Sequence, residues 1–183
     1  MYKMKAIVCV QNQNGRWAIG NKNSLLFHFK DDMKLFKQHT EYQIVLCGRK
    51  TFESLPNGPL KNRVHIVLTR DKNYTVESDE NSPVIICHNK TEVFKIIETF
   101  TNDIGSFSTD NVWIIGGEEI YNMFLPYCTT CIVTMVRNQE KKQADTFFPN
   151  LDEYDNWKCS VIQVSENDPI TFYQYCNTKV KEI

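Results

Sequence analysis

In the run Phe-His-Phe-Lys-Asp-Asp-Met-Lys-Leu-Phe-Lys-Gln at residues 27–38, an acid borders an apolar face. Read as a helix, the run sets Phe29, Met33 and Phe36 on one stripe, with Asp32 roughly 60° from its centre and Asp31 pointing away. A carboxylate beside an apolar face is disfavoured as an ion, so it needs hydrogen-bonding partners or holds its proton above the usual pKa of about 4. Such a group suits a proton donor or a substrate anchor in a greasy cleft. The plainer reading leaves both acids solvated at the positive end of a helix dipole. On this segment alone the two readings are evenly matched.

Three further clusters could bind anions. Gly48-Arg49-Lys50-Thr51 is a glycine turn with two cations and a hydroxyl, and Leu68-Thr69-Arg70 again pairs a hydroxyl with a guanidinium. Ile114-Ile115-Gly116-Gly117-Glu118-Glu119-Ile120-Tyr121 places paired glycines ahead of a helix, where the backbone can approach a pyrophosphate closely. Taken singly, each is as well explained by a solvated turn or a tight β-α junction, and no Gly-x-Gly-x-x-Gly is present. Together they imply a phosphorylated ligand, a dinucleotide by the spread of the groups, with arginine supplying the planar fork that matches phosphate oxygens.

The elements that would position these groups follow from short, β-branched apolar runs at 6–10, 44–47, 64–68, 84–87, 112–115 and 131–136. Runs apolar on both faces suit buried strands of a mainly parallel sheet. Helix-like stretches at 30–39, 51–55, 91–99 and 118–124 lie between several of them, which predicts βαβ crossovers and an α/β sheet with helices on both faces. Residues 157–164 and 171–177, separated by Ser-Glu-Asn-Asp-Pro, predict an antiparallel hairpin at the sheet edge. Stretch 101–110 reads as a polar loop. Ligands of such sheets bind at the carboxyl ends of the strands, where the three clusters fall.

Composition bounds the class. With 183 residues, 42% of them hydrophobic, the chain can bury one sizeable core, and a single domain over 1–183 is expected. A net charge of -1 and a pI near 6.4 give no electrostatic case for nucleic acid or an anionic membrane. No stretch approaches a membrane span or a cleavable leader, so a cytoplasmic protein is expected. Of the seven cysteines, Cys9, Cys47, Cys87 and Cys131 sit in or beside apolar runs as small hydrophobes, and the lone Cys128-x-x-Cys131 pair has no second pair. Free thiols and no metal site are expected.

In register over nearly the whole chain, five blocks resemble dihydrofolate reductase: 23–37, containing the acid; Gly48-Arg49-Lys50-Thr51-Phe52-Glu53-Ser54-Leu55; Leu68-Thr69-Arg70; Ile115-Gly116-Gly117; and Asp145-Thr146-Phe147-Phe148-Pro149. The resemblance implies an eight-stranded, mostly parallel sheet, NADPH as cofactor, dihydrofolate as substrate and a monomer. By position, Asp32 matches the acid that bonds the pterin and assists its protonation, and Thr134 the strand threonine that supports it. Ile7, Val8, Cys9 and Ile115 match the pterin wall, with Met33, Phe36, Leu55 and Leu60 lining the rings and Arg63 receiving the α-carboxylate of the glutamate tail. Ile19, Gly20, Asn23, Ser24 and Leu25 match a mobile loop over the nicotinamide. Gly48, Arg49, Lys50, Thr51, Leu68, Thr69 and Arg70 match phosphate and ribose contacts, Gly116, Gly117, Glu118, Glu119, Ile120 and Tyr121 the glycine turn and its helix, and His88 and Asn89 the adenine edge.

Two departures touch the chemistry. Leu25-Leu26-Phe27 stands where the family usually has Leu-Pro-Trp, so Phe27 occupies a catalytic position without an indole N–H, and Lys30 replaces a common proline. The segment before Gly20 is longer by Gly15-Arg16-Trp17 than in the shortest members. Two alternatives stay open at this point: a pyrimidine reductase of riboflavin synthesis with a related fold, and a non-catalytic nucleotide-binding module. Neither needs Asp32, Phe36 and Arg63 together.

Overall fold

The β-branched runs form strands at their expected places in a computed structural model that describes residues 3–100 and 111–182; the polar stretch 101–110 lies outside the described residues. The strands are β1 (Lys3–Gln13), β2 (Arg16–Asn21), β3 (Ser24–Leu25), β4 (Ile44–Gly48), β5 (Val64–Leu68), β6 (Val84–Cys87), β7 (Asn111–Gly116), β8 (Cys128–Val136), β9 (Thr146–Phe148), β10 (Trp157–Val164) and β11 (Ile170–Asn177). Between them run helices α1 (Lys30–Thr40), α2 (Arg49–Glu53), α3 (Lys90–Phe100) and α4 (Glu118–Phe124).

Eight strands lie in one continuous path, β10-β11-β8-β1-β7-β4-β5-β6. Pairing is parallel from β8 through to β6 and antiparallel for β11 with β8 and with β10, giving the mostly parallel sheet with a C-terminal hairpin that the sequence predicts. Parallel pairing is possible here because helices cover the faces. Ala6, Ile44, Leu46, Val64, Ile66, Val112, Ile114 and Val133 are all fully buried in its main core.

Differences from the sequence reading have local causes. The helix-like stretch at 30–39 is α1, starting at Lys30, while residues 27–29 of the longer run read as helical stay outside it: Phe29 is extended, and Phe27 is buried and stacks on it with ring centroids 5.5 Å apart. Helix α2 begins at Arg49 rather than residue 51, directly after Gly48, which is still extended. Strands β2, β3 and β9 have no counterpart in the reading. Gly15-Arg16-Trp17 is not a loop insertion: Asn14 and Gly15, at φ 57° and 90°, turn β1 into β2, the Asn-Gly geometry that suits a two-residue hairpin. Trp17 is fully buried, between Phe148 at 6.2 Å and Tyr175 at 5.8 Å.

All seven cysteines are free, and burial pushes the thiol of Cys47 up to about 12 and that of Cys87 to about 11. Among the described residues there is no cluster of metal-ligating side chains, and no helix is long and apolar enough to cross a membrane.

Candidate active site

Parallel pairing of β1 with β8 sets Cys9 opposite Thr134, and β11 brings Phe172 to the other flank of Thr134. Over these strand ends lies the first turn of α1, carrying Asp32. Burial raises the pKa of its carboxyl; the Thr134 hydroxyl and His28 pull it down, and Asp168 pushes it up. Thr134 is fully buried, and its hydroxyl makes no hydrogen bond within the protein. Cys9 stays a neutral thiol, raised well above its usual range by burial and by the nearby carboxylate. Ile7 and Val8 are buried, and Ile115 is partly buried against the small core that includes Ile7.

The apolar stripe of α1 is not sealed by protein. Met33 is 43% exposed, Phe29 and Phe36 are half-buried, and the only buried residue of the helix is Thr40. Leu25 is 54% exposed on β3. A greasy helix face left open in a folded chain is surface waiting for an apolar ligand.

Further along, Arg63 is buried at 5% exposure, its Nε donating to Thr40 Oγ1 at 2.9 Å and its Nη1 to the Lys61 carbonyl at 2.6 Å. Burial lowers its pKa, yet a guanidinium stays charged at any physiological pH. Its Cζ lies 5.9 Å from the centroid of the Phe36 ring. Leu55 and Leu60 are half-buried on the chain leading to it, and the Leu60 N–H donates to Nε2 of the fully buried His65 at 3.0 Å.

Phe27 offers no donor. It is packed with Ala18, Leu26, Val136, Ile170 and Phe172, and Lys142 Nζ lies 4.3 Å from its ring while donating to the Leu26 carbonyl at 2.6 Å.

On the other side of the sheet, register aligns Cys47 with Gly116, Gly48 with Leu68 and Leu68 with Cys87, so the glycine, threonine and arginine clusters converge at neighbouring carboxyl ends. A Cβ on Gly117 would lie 3.2 Å from Thr51 Oγ1, one on Gly48 3.2 Å from Ile120, and one on Gly116, at φ +116°, 3.2 Å from the Tyr121 ring. The glycines therefore bring two β-α junctions into an approach that a Cβ would crowd. Arg49 pairs with Asp71 at 3.2 Å and Arg70 with Glu119 at 3.1 Å, both exposed. Lys50 is exposed, and Thr69 is buried with its hydroxyl accepting from the Asp71 N–H.

Several residues of the expected cofactor set have work within the fold. Tyr121 is buried and donates to the Ile7 carbonyl at 2.8 Å; Ile120 is buried beneath Gly48. The Glu118 carboxylate accepts from the Phe147 N–H at 2.9 Å, facing β9. His88 Nδ1 lies 3.0 Å from the Thr69 carbonyl, and Asn89 exchanges hydrogen bonds with Glu92 across the first turn of α3.

The segment expected to be a mobile loop folds as a short hairpin. Ile19 and Gly20 lie on β2, Ser24 and Leu25 on β3, and Lys22 and Asn23 turn between them at φ 49° and 61°. Asp145 ties it down, accepting from the Lys22 N–H at 2.9 Å while its own N–H donates to the Gly20 carbonyl at 3.1 Å.

Four contributors escaped sequence reasoning: His65, Lys142, Ser165 and Asp168. The last two meet Asp31, which does not simply point into solvent. Ser165 Oγ donates to its carboxylate at 2.5 Å and Asn167 Nδ2 at 3.3 Å, and together these hold the Asp31 pKa below the usual range. Nothing in a polar hairpin turn marks such tertiary contacts beforehand; the Asn14-Gly15 hairpin, by contrast, was signalled.

Against known proteins, the family described as dihydrofolate reductase matches residues 4–181. A dihydrofolate reductase of Staphylococcus haemolyticus is 30% identical over 175 residues, covering 96% of this chain and 95% of its own length. One from Lactococcus lactis is 28% identical over 92% of this chain and 96% of its own. The structure of a dihydrofolate reductase from Enterococcus faecalis, complexed with NADP(H) and RAB-propyl, superposes with a TM-score of 0.72 at 26% identity, covering 96% of both chains.

Proposed function

The chain belongs to the dihydrofolate reductase family, and from that premise we propose how its residues divide the work of the reaction. It is an NADPH-dependent enzyme that reduces 7,8-dihydrofolate to 5,6,7,8-tetrahydrofolate in folate metabolism. The close junctions at Gly48, Gly116 and Gly117, where a Cβ would press on Ile120, Tyr121 or Thr51, leave bare backbone at neighbouring strand ends, which fits the pyrophosphate of a dinucleotide. The backbone of these glycines, the hydroxyls of Thr51 and Thr69, and the cations Arg49, Lys50 and Arg70 would hold NADPH. When bound, it supplies the hydride.

This chain's own residues manage the rest. Asp32 carries a proton at its carboxyl and anchors the pterin. Thr134 orients that carboxyl, and Cys9, Ile7 and Val8 keep water from it as a neutral wall. Desolvation shifts Asp32 towards the protonated form, so it keeps its proton to higher pH than a free carboxyl does and can serve the pterin nitrogen beside the carbon that is reduced. Met33, Phe36, Leu55 and Leu60 take the rings, and Arg63, braced by Thr40, takes the α-carboxylate of the tail. Phe27 belongs to the apolar wall and plays no direct part in moving the proton.

The observation that carries this reading is a desolvated carboxyl facing a buried hydroxyl beside an open apolar helix face. Mixing the protein with NADPH and dihydrofolate and following the nicotinamide absorbance tests it. Asp32→Asn should lose the activity that the parent shows; undiminished turnover would remove Asp32 from its role. One sheet continuous from β10 to β6 supports a single catalytic domain over 1–183. We read the enzyme as a cytoplasmic monomer acting on small molecules, its net charge of -1 offering little to a polyanion; sedimentation at micromolar concentration checks the monomer.

A further inference from the structure

Helix α1 starts on a residue that cannot cap it. Phe29 occupies the N-cap and offers no side-chain hydrogen bond, so the first N–H groups need partners from elsewhere. One comes from the turn between β10 and β11: Asp168 Oδ2 accepts from the Asp31 N–H at 2.9 Å. That turn is itself closed by Ser165, whose Oγ accepts from the N–H of Asp168 at 3.0 Å and of Asn167 at 3.2 Å while donating to Asp31. Arg137 holds the turn from β8's end, its N–H donating to the Pro169 carbonyl at 2.7 Å and its Nη2 to the Ser165 carbonyl at 3.4 Å. Three carboxyls thus meet at one helix end. Asp31 and Asp168 are tied into hydrogen bonds across the turn, while Asp32 faces the cleft.

We propose that Asp168 is a positioning residue for the proton chemistry of Asp32, a remote cap that fixes the first turn of α1 and sets a second negative charge beside the acid. The inference rests on the reading of Asp32 as the functional acid. Two effects act in the same direction. A carboxylate seated on the helix N-terminus offsets the positive end of the dipole, which would otherwise favour ionised Asp32. Its charge also opposes a second ionisation nearby. The titratable and charged groups facing Asp32 are Cys9 from β1, Tyr121 from α4, His28 from the segment before α1, and Asp168. Burial holds Cys9 and Tyr121 neutral, His28 works in the opposite sense to Asp168, and Lys34 acts on Asp31.

The test uses Asp168→Asn, which keeps an acceptor for the Asp31 N–H and removes the charge; Asp168→Ser, another neutral cap, repeats the measurement should the amide disturb the turn. Two readouts are taken: the midpoint of Asp32 by carbon-13 carboxyl NMR in the free protein, and single-turnover hydride transfer to dihydrofolate from pH 5 to 9. The expected result is a midpoint and a descending limb that both move to lower pH. Transfer at pH 8 should then be about two- to fourfold slower, with little change at pH 5. An unmoved midpoint overturns the inference, as does a rate loss equal at every pH, which would mark Asp168 as merely structural. If parent hydride transfer shows no pH limb at all, the reading of Asp32 fails and this inference falls with it, even if the NMR midpoint moves.

Discussion

On the β8 and β1 side of the cleft, Asp32, Thr134 and Cys9 are withdrawn from water, whereas at the ends of β4, β5 and β6 the charges of Arg49 and Arg70 stand at the surface with acids as partners. Withdrawal makes a few groups decisive, since each one's protonation is set by burial and one or two neighbours. Exposure spreads the work over several screened charges, each worth little by itself. The first half of the cleft should therefore answer to pH, and the second to salt.

The largest effect expected is from Asp32→Asn, which keeps the shape but not the ionisable group: single-turnover hydride transfer to dihydrofolate should fall about a hundredfold or more. A loss under about tenfold would break the contrast at its strongest point.

Next is the acid response of His65. Its Nε2 accepts from the Leu60 N–H, its Nδ1 is buried without a partner, and burial lowers its pKa to about 4. The unfolded chain binds a proton near pH 6.5 and the folded one does not until about 4, so the stability that His65 contributes is intact above 6.5 and is lost as pH falls towards 4. By pH 4.5 the loss should be about 2 kcal/mol. NMR of the imidazole checks it; titration near 6.5 would show that the ring is not withdrawn from water.

On the cofactor side, Gly116→Ala asks an L-residue to adopt φ +116° with its Cβ 3.2 Å from Tyr121. NADPH affinity, followed by fluorescence titration, should weaken about tenfold. Arg70→Ala should lower the NADPH over NADH preference about fivefold, an effect that shrinks in high salt, and should barely change stability because its pair with Glu119 is exposed. A salt-independent loss would place Arg70 in a drier setting than its surroundings suggest. Smallest is Asp31→Asn, whose amide oxygen can still accept from Ser165: transfer should slow less than about threefold. Equal losses at Asp31 and Asp32 would erase the distinction between the two neighbouring acids.

How far the sequence reached follows the same division between local and tertiary causes. Helix α1, the strand cores and the glycine junctions were legible because period, β-branching and paired glycines are local signals. The stripe of Phe29, Met33 and Phe36 was legible too, though its openness was not, since a face kept for a ligand has the same pattern as one kept for a core. Residues 27–29 escaped the helix because two aromatic rings stack there. Strand β9, three residues long, is too short to show a period. The partners of Asp31 come from more than a hundred residues away and left no trace near the helix.

Strand β1 sits at the middle of the sheet, yet Ala6 pairs with Ile114 on one side and Cys131 on the other. A ribosome adding about 5–20 residues per second releases β1 roughly 5 to 25 seconds before both neighbours exist. Only the hairpin to β2 can form at once, and it engages no more than Gln11, Asn12 and Gln13. For that interval a central strand of the mature enzyme, buried at Met4, Ala6, Val8 and Val10, is a bare greasy ribbon, and the steps of its birth most exposed to misassociation are those before β8 arrives.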